Sequence, residues 1–438
     1  MTAIAAVKGR RVWDSRGNPT VEVDVTLATG TTGRAIAPAG ASRGTREAVD
    51  LRDGGPALRG LDVQQALHSI TTRIAPALIG LDAADQAAVD AAILALDPSP
   101  LKAALGGNAT IATSLAVLHA AAADARIPLW QHVAQITGQT PRMPLPEIQI
   151  FGGGAHAGRR TDVQDFMIMV PGVTSFDQVM EVTSAVYFAA GDIMRRQGKL
   201  AGVADEGGWW PQFTSNEQAI ETLVAAIELA GEKPGDRVVL SLDIAASEFG
   251  RDGRYRMALD DRTMDTGALI DLLGTWLDSY PIAAIEDPVA EDDTAGMVEF
   301  TRRFGHRVQI IGDDYLVTNA ALITQAAQDG ACNAALIKVN QAGTVTEAFA
   351  AFAAAQTAGW GAVVSARSGE TEDVSISHLA TGLGCGQLKV GSFARSERMA
   401  KWNECLRIQD MLGSGLAAHA PLARTWWGRQ NATQSRQP

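Results

Sequence analysis

Four short apolar runs in this sequence each finish on a residue able to do chemistry: RVVLSLD on Asp243, PIAAIE on Glu286, RVQIIGD on Asp313 and AALIK on Lys338. If these runs are neighbouring strands of one barrel, the three acids converge on one mouth. An all-oxygen donor set of that kind suits a hard divalent cation, above all magnesium. A single acid at a strand end is more simply read as solvated or as a helix cap, but three in succession favour metal ligation. A lysine closing an apolar run beside that cation is partly buried. Burial and positive neighbours both lower its pKa toward the work of a general base, and the plain alternative for Lys338 is a structural ion pair.

The elements that must position these groups are legible in outline. With GAVVSARS, the four runs make short strands separated by helical stretches such as NEQAIETLVAAIELA, the βα alternation of a barrel whose strand ends hold the chemistry. Upstream, VEVDVTL alternates as a half-buried antiparallel strand does, and TGTTG supplies a turn. Residues from about 56 to 135 are rich in Ala and Leu at helical spacing. The proline-punctuated GQTPRMPLPE separates an α+β capping domain, 1–137, from a barrel domain, 138–438. The polar tail after about 420 is expected to fray at its extreme end. At 438 residues, two domains are the natural division, and a net charge of -12 leaves no footprint for nucleic acid. No run is apolar enough for export or membrane insertion, so a cytoplasmic protein is expected. Cys332, Cys385 and Cys405 lack zinc-site spacing and read as reduced structural thiols.

Beyond these runs, DSRGNPTVEV, GASRGTREAVDLRD, HAG, DEGG, SEFG, IEDPVAEDD, GDDYLVTN, KVNQAGT, RSGETED and ARSER occur in this order from end to end. Together they resemble the enolase family. That resemblance implies an α/β fold, an enolase-like (β/α) barrel preceded by an α+β N-terminal capping domain. It also implies elimination of water from a 2-phosphoglycerate-like acid to an enolpyruvate. Asp243, Glu286 and Asp313 then bind Mg2+ that holds the substrate carboxylate, Lys338 removes the adjacent proton, and Lys389 contacts that carboxylate. Taking a proton alpha to a carboxylate builds a doubly charged enediolate that only nearby cations make accessible. Glu206 matches the acid that protonates the leaving hydroxyl, Ser42 a mobile-loop ligand to a second Mg2+ on the phosphate, Arg367 and Ser368 phosphate contacts, and His156 a loop histidine over the substrate. Homodimers or higher homo-oligomers are the family expectation.

The sequence departs from the family pattern on the phosphate side. Ala366 stands where the family has histidine before the phosphate-binding arginine, and Gln164-Asp165 replaces a Gln-Glu pair, retracting a carboxylate by one methylene. Arg43 replaces a loop threonine, and FGGGAHAGRR adds Arg159 and Arg160. Room beside phosphorus plus extra positive charge suits a small anionic phospho- or phosphono-acid larger than 2-phosphoglycerate, as in carboxyphosphonoenolpyruvate synthase of phosphonate pathways. The alternatives are a glycolytic enolase and an inactive enolase-like binding protein. Sugar-acid dehydratases of the superfamily lack the DEGG and RSGETED pair.

Overall fold

The computed structural model describes residues 2–413, 415–417 and 420–434. Strands β1 (Ile4–Trp13), β2 (Pro19–Leu27) and β3 (Thr32–Ile36) form an antiparallel sheet. The alternation in β2 sends Val21, Val23, Val25 and Leu27 into the core, while Asp24 on the other face pairs with Arg10 and Arg34. The buried face packs on the helix Gly107–Asp124. The approach is close because Gly33 has no side chain: a Cβ there would fall 2.2 Å from the Ala120 amide nitrogen.

The second body is a closed barrel of β4 (Leu145–Gly152), β5 (Asp165–Met169) and β6 (Val239–Asp243), then β10 (Ile282–Glu286), β11 (Gln309–Gly312), β12 (Ala334–Ile337), β13 (Gly361–Ser365) and β14 (Gly386–Ser392). Between β6 and β10 a small antiparallel sheet, β7 (Gly250–Arg251), β8 (Arg254–Met257) and β9 (Arg262–Asp265), projects from the barrel; the sequence reading did not anticipate it. The barrel is not a uniform βα repeat. β5 runs antiparallel to both neighbours, whereas the other ladders are parallel. This reversal has a consequence for the site, because Asp165 starts β5 yet stands opposite Asp243, which ends β6.

The outer helices begin where the sequence supplies oxygen caps. Ser175, Ser215, Asp265, Asp293, Asn319 and Thr344 each accept a hydrogen bond from an amide in the first turn that follows. The tail is more ordered than its polarity suggests. A helix spans Trp426–Gln434, and the Trp426 indole donates to the Ile282 carbonyl at 2.7 Å. The expected fraying concerns residues 435–438, outside the described part. Among the described residues no helix is long and apolar enough to cross a membrane. All three cysteines are free, and burial pushes the Cys385 and Cys405 thiols up to about 11 and about 12.

Candidate active site

The strand ends meet as their spacing suggests. Asp243 and Glu286 are cross-strand partners at the ends of β6 and β10. Asp313 follows β11, Lys338 follows β12 and Lys389 lies in β14. All five are buried. Lys389 Nζ donates to Asp243 Oδ2 and Glu286 Oε2, both at 2.8 Å, and lies 3.4 Å from Asp165 Oδ2. Burial raises the Glu286 carboxyl well above the usual range, and the adjoining Asp243 charge adds to this. Glu286 Oε1 is buried without a hydrogen-bond partner. Asp243 and Glu286 share Lys389, Asp313 is near enough for its charge to act on Glu286, and with the orphaned oxygen these acids fit a divalent oxygen-seeking cation.

Lys338 departs from expectation in one respect. Burial alone lowers its pKa, but Nζ is hydrogen-bonded to Asp313, whose charge outweighs burial and leaves the lysine raised. Asp313 is positioned from two sides. Gln341 Nε2 donates to Oδ1 at 2.8 Å, and Asp287 accepts the Asp313 and Asp314 amides at 2.9 and 2.8 Å. Asp287 also gathers with Asp313 and Asp314 into an acid cluster. Sequence reasoning passed over Asp287, although it sits beside Glu286 in the IEDP motif.

Across the mouth, His156 lies between two carboxylates, with Nδ1 3.3 Å from Asp165 Oδ1 and Nε2 3.7 Å from Glu206 Oε1. Burial lowers the imidazole, yet Glu206 and Asp165 overcome it and bring the ring up to about 9. Asp165 is held below its ordinary range: burial raises it, and His156 and Lys389 more than reverse that. A folded pKa above the unfolded value means that this pairing stabilises fully below about pH 6.5 and is lost as pH rises through 9. The effect is at most about 3 kcal/mol, counted once for the pair. Thermal melts from pH 6.5 to 9.5 should therefore show falling stability in the wild type and a flatter profile in His156→Gln; parallel profiles would remove His156 from that role.

The phosphate-side residues gather under the capping domain. Arg367, 3% exposed, donates to Glu47 Oε2 at 2.8 Å, to Asn340 Oδ1 at 3.1 Å and to the Ser42 carbonyl at 2.9 Å. Ser368 Oγ accepts from the Ala41 amide at 2.6 Å and from Arg16 at 3.2 Å. Arg16, Glu47 and Gln341 were not singled out from the sequence. All three were within reach, since they lie in the DSRGNPT, GASRGTREA and KVNQ motifs. One pocket is lined by Ser42, His156, Gln164, Asp165, Glu206, Asp243, Lys338, Ala366, Arg367, Ser368 and Lys389. Its cavity of about 20 Å³ has room for roughly one water. Glu286 and Asp313 do not line it. Three expected contributors stand outside: Arg43 and Arg160 are exposed, and Arg159 pairs with Glu248 at 2.8 Å on the surface. A side chain's neighbours across the fold, not its place in a motif, decide where it points.

A barrel presenting a buried carboxylate cluster, two lysines and a facing carboxylate–imidazole set defines a hydro-lyase of the enolase superfamily. The sequence matches the family descriptions "Enolase, N-terminal domain" over residues 4–133 and "Enolase, C-terminal TIM barrel domain" over 140–423. It is 45% identical over 414 residues to "Enolase 1" of Desulfitobacterium hafniense (strain Y51), covering 94% of each chain. The chain belongs to the enolase family.

Proposed function

We propose that this enzyme removes water from a 2-phosphoglycerate-like acid whose phosphorus group is larger than phosphate, a carboxyphosphono group being the leading case. The observation that carries the reading is Ala366. It is buried in the pocket wall beside Arg367, its amide tied to the Lys389 carbonyl at 2.8 Å. A methyl there offers no hydrogen bond to the phosphorus group where the family pattern places an imidazole.

In this reading Lys338 takes the proton alpha to the carboxylate, and Lys389 orients that carboxylate. Glu206, with His156 and Asp165 behind it, returns a proton to the departing hydroxyl, while Gln164 orients Asp243 through a 3.1 Å hydrogen bond. Arg367 and Ser368 grip the phosphorus group. Asp243, Glu286 and Asp313 would hold one Mg2+ and Ser42 would contribute to a second; bound there, the ions would supply positive charge against the charge that develops on the substrate. The Ser42 carbonyl accepts from Arg367 at 2.9 Å, so the segment carrying Ser42 sits at the phosphorus-binding side of the pocket.

A second reading, 2-phosphoglycerate itself as substrate, draws support from Arg43, Arg159 and Arg160, which stand outside the pocket and bring it no extra charge. Turnover of 2-phosphoglycerate, followed by enolpyruvate absorbance in wild type and Ala366→His, separates the two. Loss of a hydrogen bond to a charged group costs roughly 1.5 to 3 kcal/mol, or one to two decades in rate. The first reading predicts a slow wild type and about tenfold or greater recovery in Ala366→His. Fast wild-type turnover that the histidine does not improve establishes the second.

A further inference from the structure

The hydroxyl-departure side contains a buried amide that neither the sequence reading nor the roles above use. Gln149, on β4, has no exposed surface. Its Nε2 donates to Asp165 Oδ1, and its Oε1 accepts the Gly208 amide at 3.0 Å. Both ends of the amide are therefore committed, and the orientation is fixed, since a flip would set carbonyl against carboxylate and NH2 against N–H. Gly208 follows Glu206 in the DEGG turn, so one side chain bonds both the Asp165 carboxylate and the turn carrying the proposed acid.

Space has been cleared for this reach. A Cβ on Gly208 would come within 2.4 Å of Gln149 Oε1, and one on Gly152 would stand 3.1 Å from the same atom and 2.7 Å from the Ala204 Cβ. The length also fits its partner. Asp165 is one methylene shorter than the glutamate of the family pattern, and glutamine supplies the reach that spans to it. Gln149 does not line the pocket, so it acts through its partners.

We propose that Gln149 is the positioning residue for hydroxyl departure, holding the short Asp165 carboxylate and the Glu206 turn in fixed relation. This rests on the reading of Glu206 as the acid above. Position acts on the later half of the reaction, so alpha-proton exchange, which belongs to Lys338 across the mouth, is spared.

The test compares wild type with Gln149→Met, Gln149→Asn and the length-swapped double variant Gln149→Asn/Asp165→Glu. Deuterium uptake at the alpha carbon and dehydration are followed on 2-phosphoglycerate and on its carboxyphosphono analogue. The single variants should lose about 10- to 100-fold in kcat for dehydration, with KM and proton exchange within about twofold, and the double variant should regain most of the loss. Equal loss of exchange and dehydration, or a double variant no better than Gln149→Asn, overturns the proposal. A second arm needs no substrate. The His156 titration, followed by NMR, should move by half a pH unit or more in Gln149→Met and return in the double variant. An unmoved titration also overturns it. A wild type that neither exchanges nor dehydrates either acid sinks the functional reading instead, and the titration arm still decides the role of Gln149.

Discussion

Lys338→Ala is expected to lower both alpha-proton exchange and dehydration by about a thousandfold or more, since a positioned general base contributes roughly two to four decades and no neighbour can take its place. Lys389, the nearest other amine of the site, is committed to Asp243 and Glu286. The substitution removes more than a base. Asp313, buried and paired with Lys338, keeps only its Gln341 hydrogen bond and the charges of Arg367 and Lys389, and breaking such a buried pair costs up to about 3 to 5 kcal/mol. Lys338→Ala should therefore melt earlier than wild type, and Mg2+, by answering the Asp313 charge, should restore much of the difference without restoring activity. That combination of rescued stability and absent exchange separates loss of chemistry from loss of fold. Exchange at near wild-type rate in the folded variant would remove Lys338 as the base.

How much of this was legible in the sequence follows from where each signal lies. Strands β6, β10, β11, β12 and β13 announce themselves as apolar runs because both faces are covered. β4 does not, since Glu147 and Gln149 interrupt its pattern with polar side chains buried inside the barrel. Glu147 is satisfied there by Gln387 and Ser241, and burial pushes its carboxyl up to about 7. The direction of β5 has no local signature at all, because its ladders with β4 and β6 decide it. The same holds for side-chain destinations. Arg159 follows the HAG motif yet turns to Glu248, and Glu47 reaches Arg367 across the domain junction at a sequence separation of 320. Motifs marked the ends of the catalytic strands; the partners that hold those ends in place arrive from parts of the chain that no local pattern connects.

Glu286→Gln should abolish the magnesium response of this protein, while costing little stability in its absence. The cluster holds Asp243, Glu286 and Asp313 against Lys389 and Lys338, and Glu286 keeps one buried oxygen without a partner. Burial first, and the Asp243 charge next, raise Glu286 well above the ordinary carboxyl range. An amide of the same shape keeps the contact with Lys389 and removes a charge, so the melting temperature without added metal should stay within a few degrees of wild type or rise. Wild type should gain about 2.7 kcal/mol at Mg2+ a hundredfold above its dissociation constant, through binding to the folded state alone. For a barrel domain of about 300 residues, at about 2.1 cal/mol/K of unfolding entropy per residue, that is roughly 4 °C. Glu286→Gln should show little of that gain and no turnover, as EDTA-treated wild type should. If the variant kept the full thermal shift, the cation would be held elsewhere, and the cluster of Asp287, Asp313 and Asp314 would be the next place to mutate.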